Sequence, residues 1–225
     1  AELVRFDELV HALRAGCPWD RTQTHESLKR YLLEECYELL EAIDGVSVDE
    51  PSDSAIDDLC EELGDVLFQV FFHATIAAES GWFTLADVAT VVHDKLRDRH
   101  PHVFGSATFT SVDDLAADWE ARKRVEKSRA SVMDGIPAEL PALLYALKVR
   151  KKAATSGYEE DAPSSVAAAV AALEGDDLDA TTLGDLLSGV VEVARRAGLD
   201  PEDELRRASR RFVDRYEAGG AGDPG

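Results

Sequence analysis

Apolar residues recur along most of this chain at every third or fourth position, the spacing of one face of an α-helix, and strand-like alternation is scarce. Phe6, Leu9, Val10 and Leu13 predict a first helix that stops at Gly16, with Cys17-Pro18-Trp19-Asp20 forming a turn. Leu28, Leu32, Cys36, Leu39, Leu40 and Ile43 predict a second, from about His25 to Ile43, closed by Asp44-Gly45 and followed by a polar linker with Pro51 and Ser52. A third is expected from about Ser54 to Ser80 with Gly81 as its C-cap. It is apolar almost all round between Val66 and Ala78, so it should be the most buried. The fourth opens at Thr84, where Asp87 completes a capping-box pattern, and carries Leu85, Val88, Val91, Val92 and Leu96 before Pro101. Residues 109–129 read as a loop and then a polar, basic helix.

After Pro137 a second set of helices is predicted at 140–154, 163–173, 181–197 and 201–217, with a frayed tail beyond Gly219. It echoes the first set. Leu63-Gly64-Asp65-Val66-Leu67 returns as Leu183-Gly184-Asp185-Leu186-Leu187, and Lys95-Leu96-Arg97-Asp98-Arg99-His100 as Arg211-Phe212-Val213-Asp214-Arg215-Tyr216. The expectation is an all-α fold of tandem helical repeats: a first domain over 1–130, a linker over 131–139, a second, degenerate repeat over 140–217 and a tail over 218–225.

Composition changes this picture in one place. The chain has 225 residues, 45% of them hydrophobic, enough for one or two domains with a real core. Its 24 Lys+Arg against 45 Asp+Glu give a formal charge of −21, which repels nucleic acid and anionic lipid, so neither is expected as a partner. From Tyr31 to Asp94 there are 16 acids and no Lys or Arg. Those acids must be solvated, paired with distant bases or gathered around a cation. Cys17, Cys36 and Cys60 show no CxxC spacing, no apolar run reaches about 18 residues, and the N-terminus lacks the hydrophobic stretch of a signal peptide. A cytoplasmic location is expected.

On the second helix Glu34, Glu35 and Glu38 fall at about 0°, 100° and 40°, within one arc. On the third, Glu62 and Asp65 form an i, i+3 pair with Asp58 one turn earlier. A short connection favours antiparallel packing, which lets the two acidic faces converge at a cost of about 0.2–0.5 kcal/mol per like-charge pair in an isolated helix. A solvated acidic face is the ordinary reading of such residues. Against it stands Asp65, flanked by Leu63, Val66, Leu67 and Phe68 and therefore expected to be buried without a local base. Oxygen-only ligands call for a hard cation, Mg²⁺ or Mn²⁺, and the surplus of carboxylates suits a pair of metals that also bind phosphate oxygens. A di-iron bundle needs Glu-x-x-His from two helices, and only Glu8–His11 has that form.

Glu34-Glu35-x-x-Glu38, 23 further residues and Glu62-x-x-Asp65 resemble the signature of the MazG-type all-α nucleoside triphosphate pyrophosphohydrolases. Cys17-Pro18-Trp19-Asp20, Gln23-Thr24, Leu63-Gly64-Asp65 and Arg99-His100-Pro101-His102-Val103-Phe104 are similar to the same family. The resemblance covers roughly residues 4–217, strongly to about 137. It implies hydrolysis of a nucleoside triphosphate between the α and β phosphates, in a nucleotide-pool house-cleaning role. It further implies Mg²⁺ held by Glu35, Glu38, Glu62 and Asp65, attacking water oriented or deprotonated by Glu34, and a helical bundle completed by a second copy of the chain. Lys95 and Arg99, an i, i+4 pair, match a phosphate-binding helix of the family, the alternative being an ion-pair stripe with Asp94 and Asp98. Trp119 either stacks on a base or anchors its polar helix, and Lys123 one turn on is placed to reach a phosphate.

In the second repeat Glu62 becomes Thr182, and positions 34, 35 and 38 become Ala167, Ala168 and Ala171, leaving one expected site per chain. His73 and Trp19 read as packing residues. No Walker-type phosphate loop occurs. Two other readings remain: an HD-type metal phosphohydrolase built on His93-Asp94 and His73, and a non-catalytic helical scaffold that binds divalent cations.

Overall fold

The computed structural model describes residues 1–47, 49–108, 131–158 and 179–219, with positions 111, 114, 115, 118, 166, 167 and 170 between them. Eight α-helices occur among these residues, and no strand: α1 (Glu2–Gly16), α2 (His25–Gly45), α3 (Asp53–Glu79), α4 (Leu85–Arg99), α5 (Pro101–Phe104), α6 (Ala142–Thr155), α7 (Ala180–Arg196) and α8 (Pro201–Ala218). The protein is all-α, as its periodicity predicts. The helix expected at 163–173 and the basic helix before Arg129 fall largely or wholly outside the described residues. None of the helices is long and apolar enough to cross a membrane. Contacts divide the chain into two units, Ala1–Trp119 and Glu120–Gly225.

In the first unit, Val10, Leu28, Phe71, Phe72 and Ile76 form the core, with Phe6, Tyr31, Phe68 and Leu85 packed against it. The Phe6 and Phe71 rings lie 5.0 Å apart, and those of Phe68 and Phe72 5.4 Å. Helix α3 carries the longest buried stretch, as its apolar run predicts, but burial begins only at Gln69; Leu63, six residues earlier, is 52% exposed. The starts of these helices are written in the sequence. Thr24 and Ser27 form a reciprocal capping box on α2, Ser52 caps α3, and Thr84 and Asp87 form the expected box on α4. Helix α3 ends at Ser80, after which Gly81 takes φ +68°, a left-handed backbone that disfavours any side chain.

Arg14 ties the end of α1 to the end of α3. Its guanidinium donates to both Glu79 oxygens (3.0 and 2.9 Å) and to the carbonyls of Asp20 and Gln23 in the turn before α2. Helices α2 and α3 make the most extensive interface, and it is antiparallel: His25 meets His73, Glu35 meets Glu62 and Asp65, and Gly45 shares a cavity with Ala55. This is the packing that the short linker favours.

In the second unit α6 packs against α7, and α8 against both. Leu147 and Val191 are fully buried beside a buried acid, Glu192, which is 2% exposed. Asp179 and Asp200 cap α7 and α8.

Candidate functional site

The antiparallel pairing of α2 and α3 brings together carboxylates that lie far apart in sequence. One oxygen from each of Glu35, Glu62 and Asp65 falls within 4.8 Å of the others, the single such group of His, Cys, Asp or Glu among the described residues. Glu38, one turn after Glu35, shares with Glu62 a cavity of about 350 Å³ between the two helices, lined also by Glu41 and Asp58. The four carboxylates Glu35, Glu38, Glu62 and Asp65 thus face one locality, and none has a basic partner among the described residues. Of the nearby bases, Arg14 is committed to Glu79 and Arg30 to Glu34.

This crowding shows in the electrostatics. Desolvation, then the charge of Asp65 and that of Glu38, push the Glu35 carboxyl above the ordinary range. Desolvation and the charges of Glu38 and Asp65 do the same to Glu62. The Oε2 atom of Glu62 is buried and has no hydrogen-bond partner among the described residues. A buried, unpartnered carboxylate oxygen is costly unless something cationic meets it. The residue carrying that cost is therefore Glu62, whereas Asp65, expected to be buried, is exposed. The reason is that α3 enters the core only from Gln69 onward, so the turn bearing Asp65 has α2 on one side and, among the described residues, stays uncovered on the other. The donor set fits a hard divalent cation: oxygen ligands only, crowded like charges and an orphaned acceptor among them.

Glu34 stands outside the cluster, exposed, with its carboxylate 3.3 Å from Arg30. Neither Lys95 nor Arg99 is among the charges felt by Glu35 or Glu62. Lys95 is half-buried and makes no ion pair among the described residues, Asp94 being bonded to His93 at 2.9 Å. Arg99 is 8% exposed and so does not form an open basic stripe with it. Trp119 and Lys123 lie outside the described residues. Trp19 is 46% exposed and sits edge-on to Tyr31 at 5.6 Å between ring centroids.

His73 is a core histidine whose Nδ1 is 2.8 Å from that of His25. Its ring stacks on His25, which stacks in turn on Trp82. It makes no metal cluster with His93 and Asp94, so the arrangement of an HD-type phosphohydrolase is absent among the described residues. Sequence reading missed Gln69, which is 3% exposed and close enough to the Glu35 carboxylate to favour its ionised form. Its position four residues after Asp65, polar within an apolar run, was the available signal.

A larger cavity, about 560 Å³, lies in the second unit beside Tyr145, Arg150, Ser188 and Glu192. Its one acid is already committed. Arg195 donates to both Glu192 oxygens (2.8 and 2.7 Å) and Arg196 to one (2.9 Å), with Arg150 at 3.6 Å, holding that carboxyl down to about 2. It offers no site for a cation.

Comparison with known proteins agrees with the acidic site. Residues 23–104, which contain all four clustered carboxylates, match the MazG nucleotide pyrophosphohydrolase domain. Over 229 aligned positions the chain is 41% identical to the nucleoside triphosphate pyrophosphohydrolase/pyrophosphatase MazG of Thermotoga maritima, covering 95% of this chain and 85% of that one. It is 37% identical to the nucleoside triphosphate pyrophosphohydrolase of Escherichia coli K12, over 89% of this chain and 79% of that one. For the like-named protein of Mycobacterium tuberculosis the identity is 39%, over 95% of this chain and 56% of that one. The chain belongs to the MazG nucleotide pyrophosphohydrolase family.

Proposed function

We propose that this protein is a hydrolase that converts nucleoside or deoxynucleoside triphosphates and water to the monophosphate and pyrophosphate, in a Mg²⁺-dependent reaction at the α2–α3 interface. The observation that carries this reading is the cluster of Glu35, Glu62 and Asp65, with a buried Glu62 oxygen that nothing among the described residues satisfies. The names of the relatives supply the reaction. Glu35, Glu38, Glu62 and Asp65 are the ligands for Mg²⁺, with Mn²⁺ as a substitute. Bound there, the cation would offset triphosphate charge and acidify water, chemistry that lets carboxylates work without a covalent nucleophile.

Glu34 is assigned to orient or deprotonate the attacking water, adjoining the ligand Glu35 along α2 yet outside the cluster. Lys95, Arg99, Trp119 and Lys123 are assigned to the substrate. Lys95 supports this best, being a cation without an ion-pair partner among the described residues. The reaction is placed in the first unit alone, because Thr182 stands where Glu62 does. Its role is nucleotide-pool house-cleaning. The working form is a homodimer: Leu63, Leu67 and Val70 expose an apolar strip on α3 that a second copy would cover.

Incubation with Mg²⁺ and a panel of canonical and modified nucleoside triphosphates tests the reading. Equimolar monophosphate and pyrophosphate are expected, dependent on Mg²⁺ and lost with EDTA. Release of orthophosphate would point to a different bond, and no turnover with any nucleotide would favour a cation-binding scaffold. Light scattering on the eluting protein should give twice 24.5 kDa.

A further inference from the structure

We propose that the cavity of the second unit is a binding site for a small aromatic anion, a ring that carries a phosphate or carboxylate group. The cavity measures about 560 Å³, within the range of about 300–1,000 Å³ typical of small-molecule sites. What occupies the equivalent place in the first unit is core. In the alignment set by Leu-Gly-Asp, Phe68 and Phe72 of α3 correspond to Ser188 and Glu192 of α7. The two phenylalanine rings lie 5.4 Å apart and belong to the packed cluster around Val10 and Leu28. In α7 the same two positions carry a hydroxyl and a carboxylate, and both line open space. A buried ion pair in place of well-packed apolar side chains seldom adds stability. Stability alone therefore does not call for this arrangement.

The walls are held in place by the local backbone. Tyr158 is fixed at the end of α6, where Gly157 takes φ +79° and the Tyr158 amide donates to the Ala153 carbonyl at 3.2 Å. Met133 lies in a turn tied to α6 by Lys152, whose Nζ donates to the Asp134 carbonyl at 2.6 Å. Tyr145, 40% exposed, adds a second ring. Together they offer aromatic and apolar surface to a flat ring. The polar groups offer donors. Arg150 and Arg195 line the cavity, and the oxygens of Glu192 already accept from Arg195 and Arg196. Ser188 Oγ accepts from Arg150 at 2.6 Å, so its own O–H points elsewhere, and that hydrogen meets no acceptor among the described residues. A donor hydroxyl and two guanidiniums in one cavity suit the oxygens of a phosphate or carboxylate, which guanidinium forks bind in pairs.

The test is ligand binding to the full chain in metal-free buffer, read by saturation-transfer NMR. The probes are phenyl phosphate, benzoate and AMP, with benzyl alcohol as the ring without the charge. Phenyl phosphate and benzoate should bind the parent, and benzyl alcohol should bind at least about tenfold more weakly. Ala146→Phe fills the cavity and should abolish binding. Tyr145→Ala, at an exposed position, should weaken it about 3–10-fold, the weight of one aromatic contact. Glu62→Gln, in the other unit, should bind phenyl phosphate like the parent. Failure of the parent to bind phenyl phosphate and benzoate overturns the inference. So does equal affinity for benzyl alcohol, parent-like affinity in Ala146→Phe or Tyr145→Ala, or loss of binding in Glu62→Gln. Where Ala146→Phe does not fold by circular dichroism, Tyr145→Ala decides alone. AMP binding that weakens in Tyr145→Ala supports the site and assigns the ring to a nucleobase. Binding of phenyl phosphate without AMP supports it and assigns a smaller aryl anion.

Discussion

Helices α3 and α7 share a frame and differ in what they do with it. In the alignment set by Leu-Gly-Asp, residues 61–72 and 181–192 have the same order of exposed, half-buried and buried positions over all twelve places. Leu63 and Leu183 are exposed, Gln69 and Gly189 are buried, and Phe72 and Glu192 are both at the bottom of the interface. The chemistry has moved within that frame. In α3 the acids lie on the half-covered face and the core position is a phenylalanine; in α7 the acid is at the core position and Thr182 replaces Glu62. Glu192 meets three arginines and is driven to the bottom of the carboxylate range, whereas Glu35 and Glu62 meet acids and no base among the described residues and are pushed up. A carboxylate buried with its bases is a structural ion pair, and carboxylates crowded without bases are a place for a cation.

The largest effects should come from the two core positions, for opposite reasons. Glu192→Ala leaves Arg150, Arg195 and Arg196 around a missing charge and should cost about 3–5 kcal/mol. Phe72→Ala opens a cavity beside Phe68 in the cluster of Val10, Leu28, Phe71 and Ile76 and should cost a similar ~3–5 kcal/mol. Urea unfolding followed by tryptophan fluorescence and by circular dichroism separates them. The described tryptophans, Trp19 and Trp82, belong to the first unit, so Phe72→Ala should move the fluorescence transition and Glu192→Ala chiefly the dichroism. Equal movement of both signals by Glu192→Ala would break the picture of two separable units.

Next in size is the effect on turnover. Glu38→Ala and Asp65→Ala should lower kcat/KM by at least about 10²-fold, the scale of removing one electrostatic contributor at a reacting centre. Asp185→Ala, the same residue in the shared frame, should leave it within about twofold. Comparable loss from Asp185→Ala, in a protein with parent-like circular dichroism, would return a catalytic role to the second unit.

Metal removal then sharpens the contrast without mutation. A cation at 100 times its Kd stabilises the native state by about 2.7 kcal/mol. Chelation by EDTA should therefore lower the midpoint of the tryptophan transition, and Glu62→Gln should abolish that shift. An EDTA effect that survives in Glu62→Gln would locate the cation elsewhere.

Much of this frame was legible from sequence. Helical periodicity and capping residues such as Thr84 and Asp87 are local, so α1 to α4 and α6 to α8 could be placed to within one to four residues at each end. The acidic cluster was legible because the absence of Lys and Arg from Tyr31 to Asp94 is a property of composition. What escaped depends on pairing across 34 to 48 positions: Gln69 with Glu35, His25 with His73, and Arg150 with Glu192. Asp65 was misjudged because apolar neighbours in sequence say which helix is buried, not where along it burial begins.

Acid titration should give the smallest effect and orders the two units by pH. In the first, His73 and His25 approach through Nδ1 at 2.8 Å, a contact in which one ring must donate and the other accept, and the Nε2 atoms of both are buried without partners among the described residues. Burial first, and then the neighbouring His25, hold His73 below its ordinary value of 6.5. A depressed folded value means that its contribution is complete above pH 6.5 and is lost as pH falls below that. Glu192 is also depressed, from 4.5 to about 2, so its contribution stays complete until pH falls below 4.5 and disappears toward 2. The contribution of His73 should therefore begin to be lost roughly two pH units before that of Glu192, because an imidazole titrates above a carboxylate. Urea midpoints by tryptophan fluorescence should decline between pH 7.5 and 5.5 in the parent and stay flatter in His73→Phe. An unchanged slope in His73→Phe would show that the histidine pair does not set the acid limit of the first unit.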